Sequence, residues 1–171
     1  MKPFKRILAS LALALVTAVS FAPAAQAQAM TDYLENRAVD WLFRGQTFTP
    51  PATIYVALYT ASCNDAGGGT EVTGGSYARV GVASSLANWA GTQSAGSTTA
   101  STGTGGQTSN NAAVTFPAPT ANWGVVTHFA LLDASTAGNM LICQALTASK
   151  TINSGDSAPS FAIGALTVTF Q

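Results

Sequence analysis

Charge is what this 171-residue chain has least of: seven Lys and Arg against seven Asp and Glu, together 8% of the residues. Three of the bases, Lys2, Lys5 and Arg6, stand at the very start, so from Met30 onward four bases face seven acids, a net charge of about −3. Such a surface excludes a nucleic-acid partner, which needs clustered Lys and Arg to neutralise phosphates. There is a single histidine, His128, and only two cysteines, Cys63 and Cys143. One imidazole and two distant thiols offer no metal-ligand spacing, so no metal is expected. The glycines at 67–69 and 74–75 lack the following helix and lysine of a phosphate cradle, and no cofactor is expected either. After residue 29 no apolar run is long enough to span a bilayer, which argues against a membrane span in the remainder.

What is present first is a leader. A basic start is followed by an apolar run over residues 7–19, too short to cross a membrane comfortably, and Pro23 breaks it. Ala25-Gln26-Ala27 and Ala27-Gln28-Ala29 are small-residue cleavage patterns, so residues 1–29 are expected to be a secretory signal cut after Ala27 or Ala29. The alternative is an uncleaved N-terminal anchor. The remaining residues 30–171 suffice for one domain with one core. Export would carry Cys63 and Cys143 into an oxidising compartment, where an even pair forms a disulfide; the alternative is two separate buried thiols. Closing so long a loop contributes on the order of 4 kcal/mol.

Hydrophobic periodicity then predicts the elements. Residues 32–44 (DYLENRAVDWLFR) place Leu34, Ala38, Trp41 and Leu42 at helical spacing. Thr31 or Asp32 is the expected cap, Arg44 lies in the last turn and Gly45 follows. In residues 53–61 Ile54, Val56 and Leu58 alternate with Tyr55, Ala57 and Tyr59, a strand pattern. Residues 64–75 are turn-rich, and 77–86 alternate again, with Arg79 on one face. Residues 94–111 hold no charge and no large apolar side chain, so they are expected to form a solvated loop. Residues 112–116 regain strand character. The stretch 123–133 (WGVVTHFALLD) is apolar on both parities and is expected at the middle of a sheet, covered on both faces. Strands are further expected over 139–147, 150–152 and 160–170. The whole implies an all-β chain, an antiparallel β-sandwich of jelly-roll or Ig-like kind with one N-terminal helix.

The chain resembles a family of short phage and prophage proteins labelled tail fibre proteins. The resemblance is carried by TDYLENRAVDWLFRG (31–45), PPATIYVALYTA (50–61), GGGTEVTGGSYARV (67–80), SSLANWAGTQ (84–93), FPAPTANWGVVTHFALLDA (116–134) and SKTINSGDSAPSF (149–161). It implies a shared fold and a role as a structural part of a virion. The leader departs from that pattern, because virion proteins assemble in the cytoplasm and have no use for export. A phage-type β-sandwich reused as an exported subunit of a surface layer or filament, self-assembling with its own copies, reconciles the two.

Chemistry finds little support in the residues. His128 inside a strand is expected to be a packed core or face imidazole rather than a base. Serines are plentiful, but no nucleophile elbow accompanies them, and Asp65, Glu71 and Asp156 all fall in turn regions. No enzymatic activity is therefore expected. Trp41 and Phe43 are candidates for contact with a neighbouring subunit, the alternative being a helix laid over the sandwich. Trp89 and Trp123, each preceded by Asn, are the candidate pair for stacking on a cell-surface glycan, the alternative being core packing. The alternatives to a filament subunit are a virion tail fibre or decoration protein and a carbohydrate- or receptor-binding adhesin module.

Overall fold

The computed structural model describes residues 30–170; the expected leader lies outside the described residues. Along the chain run helix α1 (Asp32–Arg44) and strands β1 (Thr53–Ala61), β2 (Thr70–Glu71), β3 (Val80–Ala83), β4 (Gln107–Ser109) and β5 (Val114–Thr115). They are followed by β6 (Gly124–Leu132), β7 (Met140–Ile152), β8 (Ser160–Phe161) and β9 (Thr167–Thr169). The main sheet has five strands in the order β2-β1-β6-β7, with β3 also on the outer side of β1; β4 pairs β9 and β5 pairs β8 in two small sheets. Every pairing is antiparallel. The architecture is the expected all-β, sandwich-like one with a single helix at its N-terminal end.

Period-2 alternation sorts side chains onto the two faces of the main sheet. Val56 and Leu58 of β1, Phe129 and Leu131 of β6 and Ile142 of β7 face one way. They meet Val114, Phe116, Leu166 and Val168 from the small sheets in one cluster, which is the core. A side chain buried this fully stabilises by about 1.5–3 kcal/mol. On the opposite face Ala57, Tyr59, Ala130 and Leu132 surround Cys63 and Cys143, which are joined by a disulfide with Cα atoms 6.0 Å apart. Residues 129–132 are buried on both parities, so the double coverage expected over 123–133 holds for the second half of β6, while Gly124 and Val125 are exposed.

Several expected boundaries move. The parity of β6 breaks: Val126 packs in the same cluster as Phe129, three residues on, while Val125 is 47% exposed. The cause is an irregularity in the β6–β7 register, where Val126 pairs with Lys150 but His128 pairs with Ala145. Extra residues on one strand twist the ladder and re-aim its side chains. β7 runs unbroken through residues expected to form two strands. The expected long closing strand is instead β8 and β9, because Gly164 at φ 75° turns the chain between them. The strand expected over 77–86 shrinks to Val80–Ala83, the four residues that pair with Thr53–Val56 of β1. Residues 107–109, expected in the solvated loop, form β4.

Candidate functional site

The helix comes first in the chain and is held at one end. Thr31 sits at the N-cap with extended backbone, but its hydroxyl does not cap the helix. It donates to the Met140 and Leu141 carbonyls, and the Thr31 N–H bonds the Leu141 carbonyl at 3.0 Å. Those bonds fasten the helix start to the outer edge of β7, where Met30 also bridges Ile142. Tyr33 and Leu34 pack against the core. Gly45 in the left-handed region ends the helix, and the Gln46 N–H bonds the Asp40 carbonyl at 3.0 Å. No residue of α1 is buried. Its last turns instead leave Val39, Trp41, Leu42 and Phe43 between 47% and 77% exposed. The expected stripe thus packs at Leu34 and stands clear of the body at Trp41 and Leu42.

Beside the helix start lies a polar network on the disulfide face. The Arg79 guanidinium grips Glu71 at both oxygens, Nε to Oε1 at 2.8 Å and Nη2 to Oε2 at 2.7 Å. Nη1 donates to the carbonyls of Ala134 and Ala137, each at 2.8 Å, and so clamps the β6–β7 turn. Tyr77 donates to Glu71 Oε1 at 3.0 Å and accepts from the Leu58 N–H at 2.9 Å. With side chains only 9% and 22% exposed, Arg79 and Glu71 form a nearly desolvated bidentate pair. Burial pushes the Tyr77 hydroxyl far above its ordinary range, with Glu71 adding to the rise against the opposing Leu58 N–H. Tyr59 is raised for the same first reason, and the bond to Glu71 raises Arg79. Two open clefts of about 390 and 540 Å³ share Arg79 and Ala137 in their walls. Arg79, Glu71 and Tyr77 are engaged with one another and with the backbone, so the network fixes the shape of the cleft walls.

Asp32, Glu35 and Asp65 bring carboxylate oxygens within 4.8 Å of one another near the first cleft. Hard oxygen donors suit Ca²⁺ or Mg²⁺, but acids at a helix start are favoured by its dipole without any ion, and no metal site is assigned.

The remaining sequence candidates are dispersed. Trp123 is 5% exposed; its ring meets Tyr77 edge-on at 5.3 Å and its Nε1–H donates to the Gly75 carbonyl at 3.0 Å. Trp89 is half-buried against the same core cluster. Trp123 is thus buried and Trp89 half-buried, rather than both standing exposed. His128 Nδ1 is hydrogen-bonded at 2.8 Å to the hydroxyl of its neighbour Thr127.

Two residues were not singled out by sequence reasoning. Asn110 is 1% exposed and joins the second layer. Its Nδ2 donates to Ala112 and Ala162 carbonyls, and its Oδ1 accepts from the Leu166 N–H. Gln93 organises the loop expected to be loose: Nε2 donates to the hydroxyl and carbonyl of Thr99 and to the Ala100 carbonyl, while Oε1 accepts from the Thr102 N–H. The signal available was an Asn and a Gln in otherwise small-residue sequence, residue types able to replace backbone partners.

Among curated proteins nothing matches the chain. The family model described as Podophage GP4 fiber I protein gp80 matches residues 29–169, the whole sandwich with its helix. No helix among the described residues is long and apolar enough to cross a membrane. A β body closed by a disulfide and a bidentate ion pair is in keeping with a structural part, and the chain belongs to the Podophage GP4 fiber I protein gp80 family.

Proposed function

We propose that this chain is an exported structural protein, a subunit that assembles with its own copies into an extracellular filament or surface assembly on a phage-fibre body. The observation that carries this is the fibre family match over residues 29–169. Export is supported by the leader-type sequence ahead of Met30 and by the Cys63–Cys143 disulfide, which persists in oxidising compartments. The same leader favours a surface subunit over a virion part assembled in the cytoplasm. Self-assembly is supported by an exterior poor in charge and by the exposed aromatic residues of α1. Size-exclusion chromatography and negative-stain microscopy of secreted material test it. Oligomers or filaments are expected, and a strictly monomeric protein contradicts the reading.

A second reading, an adhesin module for a cell-surface glycan, draws on the hydroxyl-rich loop that Gln93 organises. Saturable glycan binding lost in Gln93→Ala supports it; equal binding by that variant removes it.

A further inference from the structure

An α-helix begins with four N–H groups that its own turns cannot satisfy. In α1 the Thr31 hydroxyl, the expected cap, is engaged with β7, and two of those N–H groups are taken by carbonyls from two other segments. The Thr31 N–H bonds Leu141 of β7 at 3.0 Å, and the Asp32 N–H bonds Asp65 at 2.9 Å. Asp65 lies in the loop between β1 and β2, residues 62–69. Asn64 and Gly67 close the tip of that loop with two mutual backbone bonds. Gly67, Gly68 and Gly69 all have positive φ, so the segment leading to β2 has no side chains to pack and little stiffness of its own. The Cys63–Cys143 disulfide joins these same two segments: Cys63 stands two residues before Asp65, and Cys143 two residues after Leu141.

Little else fixes the helix. No residue of α1 is buried, and Tyr33 and Leu34 reach the core only as half-buried side chains. A 13-residue helix is marginal in water without tertiary contacts. The bonds from Met30 and Thr31 to β7 hold the chain just ahead of the helix. Among the described residues, the Asp65 carbonyl is the only backbone group outside the helix and its flanking residues that bonds a residue of α1. We propose that the Cys63–Cys143 disulfide is a redox latch for α1: closed, it holds Asp65 against the helix start, and open, it releases α1 while the sandwich stays folded. The sandwich core lies on the opposite face of the main sheet and contains neither cysteine. Closing the latch oxidises two thiols. One S–S bond forms, and two electrons and two protons pass to a small-molecule disulfide, which leaves as two thiols. The latch goes beyond the assembly reading and does not depend on it. In an exported chain it closes only in an oxidising compartment, so α1 takes its final stance outside the cell.

Amide nitrogen relaxation of the full secreted protein tests the latch, measured in the oxidised form and again after reduction with dithiothreitol. The double variant Cys63→Ala and Cys143→Ala, which has no link to reduce, serves as the permanently open form. Order parameters over residues 32–44 are expected to fall from about 0.85 in the oxidised protein to below about 0.6 in the reduced protein and in the double variant. Those of β1 and β6 are expected to stay at about 0.85 in all three. Re-oxidation of the reduced protein with glutathione disulfide is expected to return the helix to its oxidised values. A helix that keeps its rigid values in the double variant overturns the latch. Loss of signal dispersion across β1 and β6 in that variant also overturns it, because the disulfide would then be a requirement of the whole fold rather than of α1.

Discussion

At the scale of single residues, stability rests on polar groups that the β framework cannot satisfy by itself. Asn110 replaces three backbone partners in a place with almost no solvent. Asn110→Ala would strand the Leu166 N–H and the Ala112 and Ala162 carbonyls, and is expected to cost about 3 kcal/mol in urea unfolding; a cost below about 1 kcal/mol contradicts the role. The Glu71–Arg79 pair behaves similarly. Glu71→Ala leaves a guanidinium with little access to water, and about 3 kcal/mol is expected, at the low end for a buried pair because Glu71 keeps some exposure. Tyr77 supplies the pH dependence. Its folded hydroxyl holds its proton to higher pH than the unfolded one, so the unfolded chain loses that proton first. Stability is therefore complete below about pH 10 and falls as the pH climbs beyond it. Denaturant midpoints between about pH 8 and 11 are expected to decline in wild type and to decline less steeply in Tyr77→Phe. Equal slopes would remove Tyr77 as the cause. Gly75 shows why a turn glycine is required: at φ 53°, a Cβ there would stand 2.9 Å from Trp123 Nε1 and 3.0 Å from Ala121 Cβ.

At the scale of elements, the disulfide ties the loop after β1 to β7 across 80 residues of sequence. Replacing Cys63 and Cys143 together by Ser is expected to lower unfolding free energy by about 4 kcal/mol, from loop closure. A change under about 1 kcal/mol would mean the unfolded chain is already compact there. The elements also show what sequence makes legible. The helix and β1 were readable because each holds a sustained period, with the bounds the pattern predicts, and β6 because it is apolar on both parities. The β6 parity break was not readable, since it arises from the pairing of Val126 and His128 with β7, which no local pattern records. In the small sheets, β5, β8 and β9 fall within stretches expected as strands, 112–116 and 160–170, whereas β4, three residues in a stretch expected to be loop, is too short for any period. Thr31 looked like a cap by residue type, but Met140 and Leu141, distant in sequence, claim its hydroxyl. Trp41 and Phe43 were flagged as contact candidates and are exposed, whereas Trp123 lies in the core because its N–H finds the Gly75 carbonyl.

At the scale of the whole molecule, one face of the main sheet is sealed by the small sheets and the other by the disulfide, Tyr59 and the Arg79 clamp. The last turns of α1 expose Val39, Trp41, Leu42 and Phe43 side by side in sequence, unlike the scattered exposed hydrophobics Leu86, Val125, Ile163 and Phe170. The family match over residues 29–169 places the chain among fibre proteins. The most direct test is sedimentation velocity of the secreted protein across a dilution series. The account predicts species of two or more copies whose proportion rises with concentration. A single monomeric boundary at every concentration would contradict it.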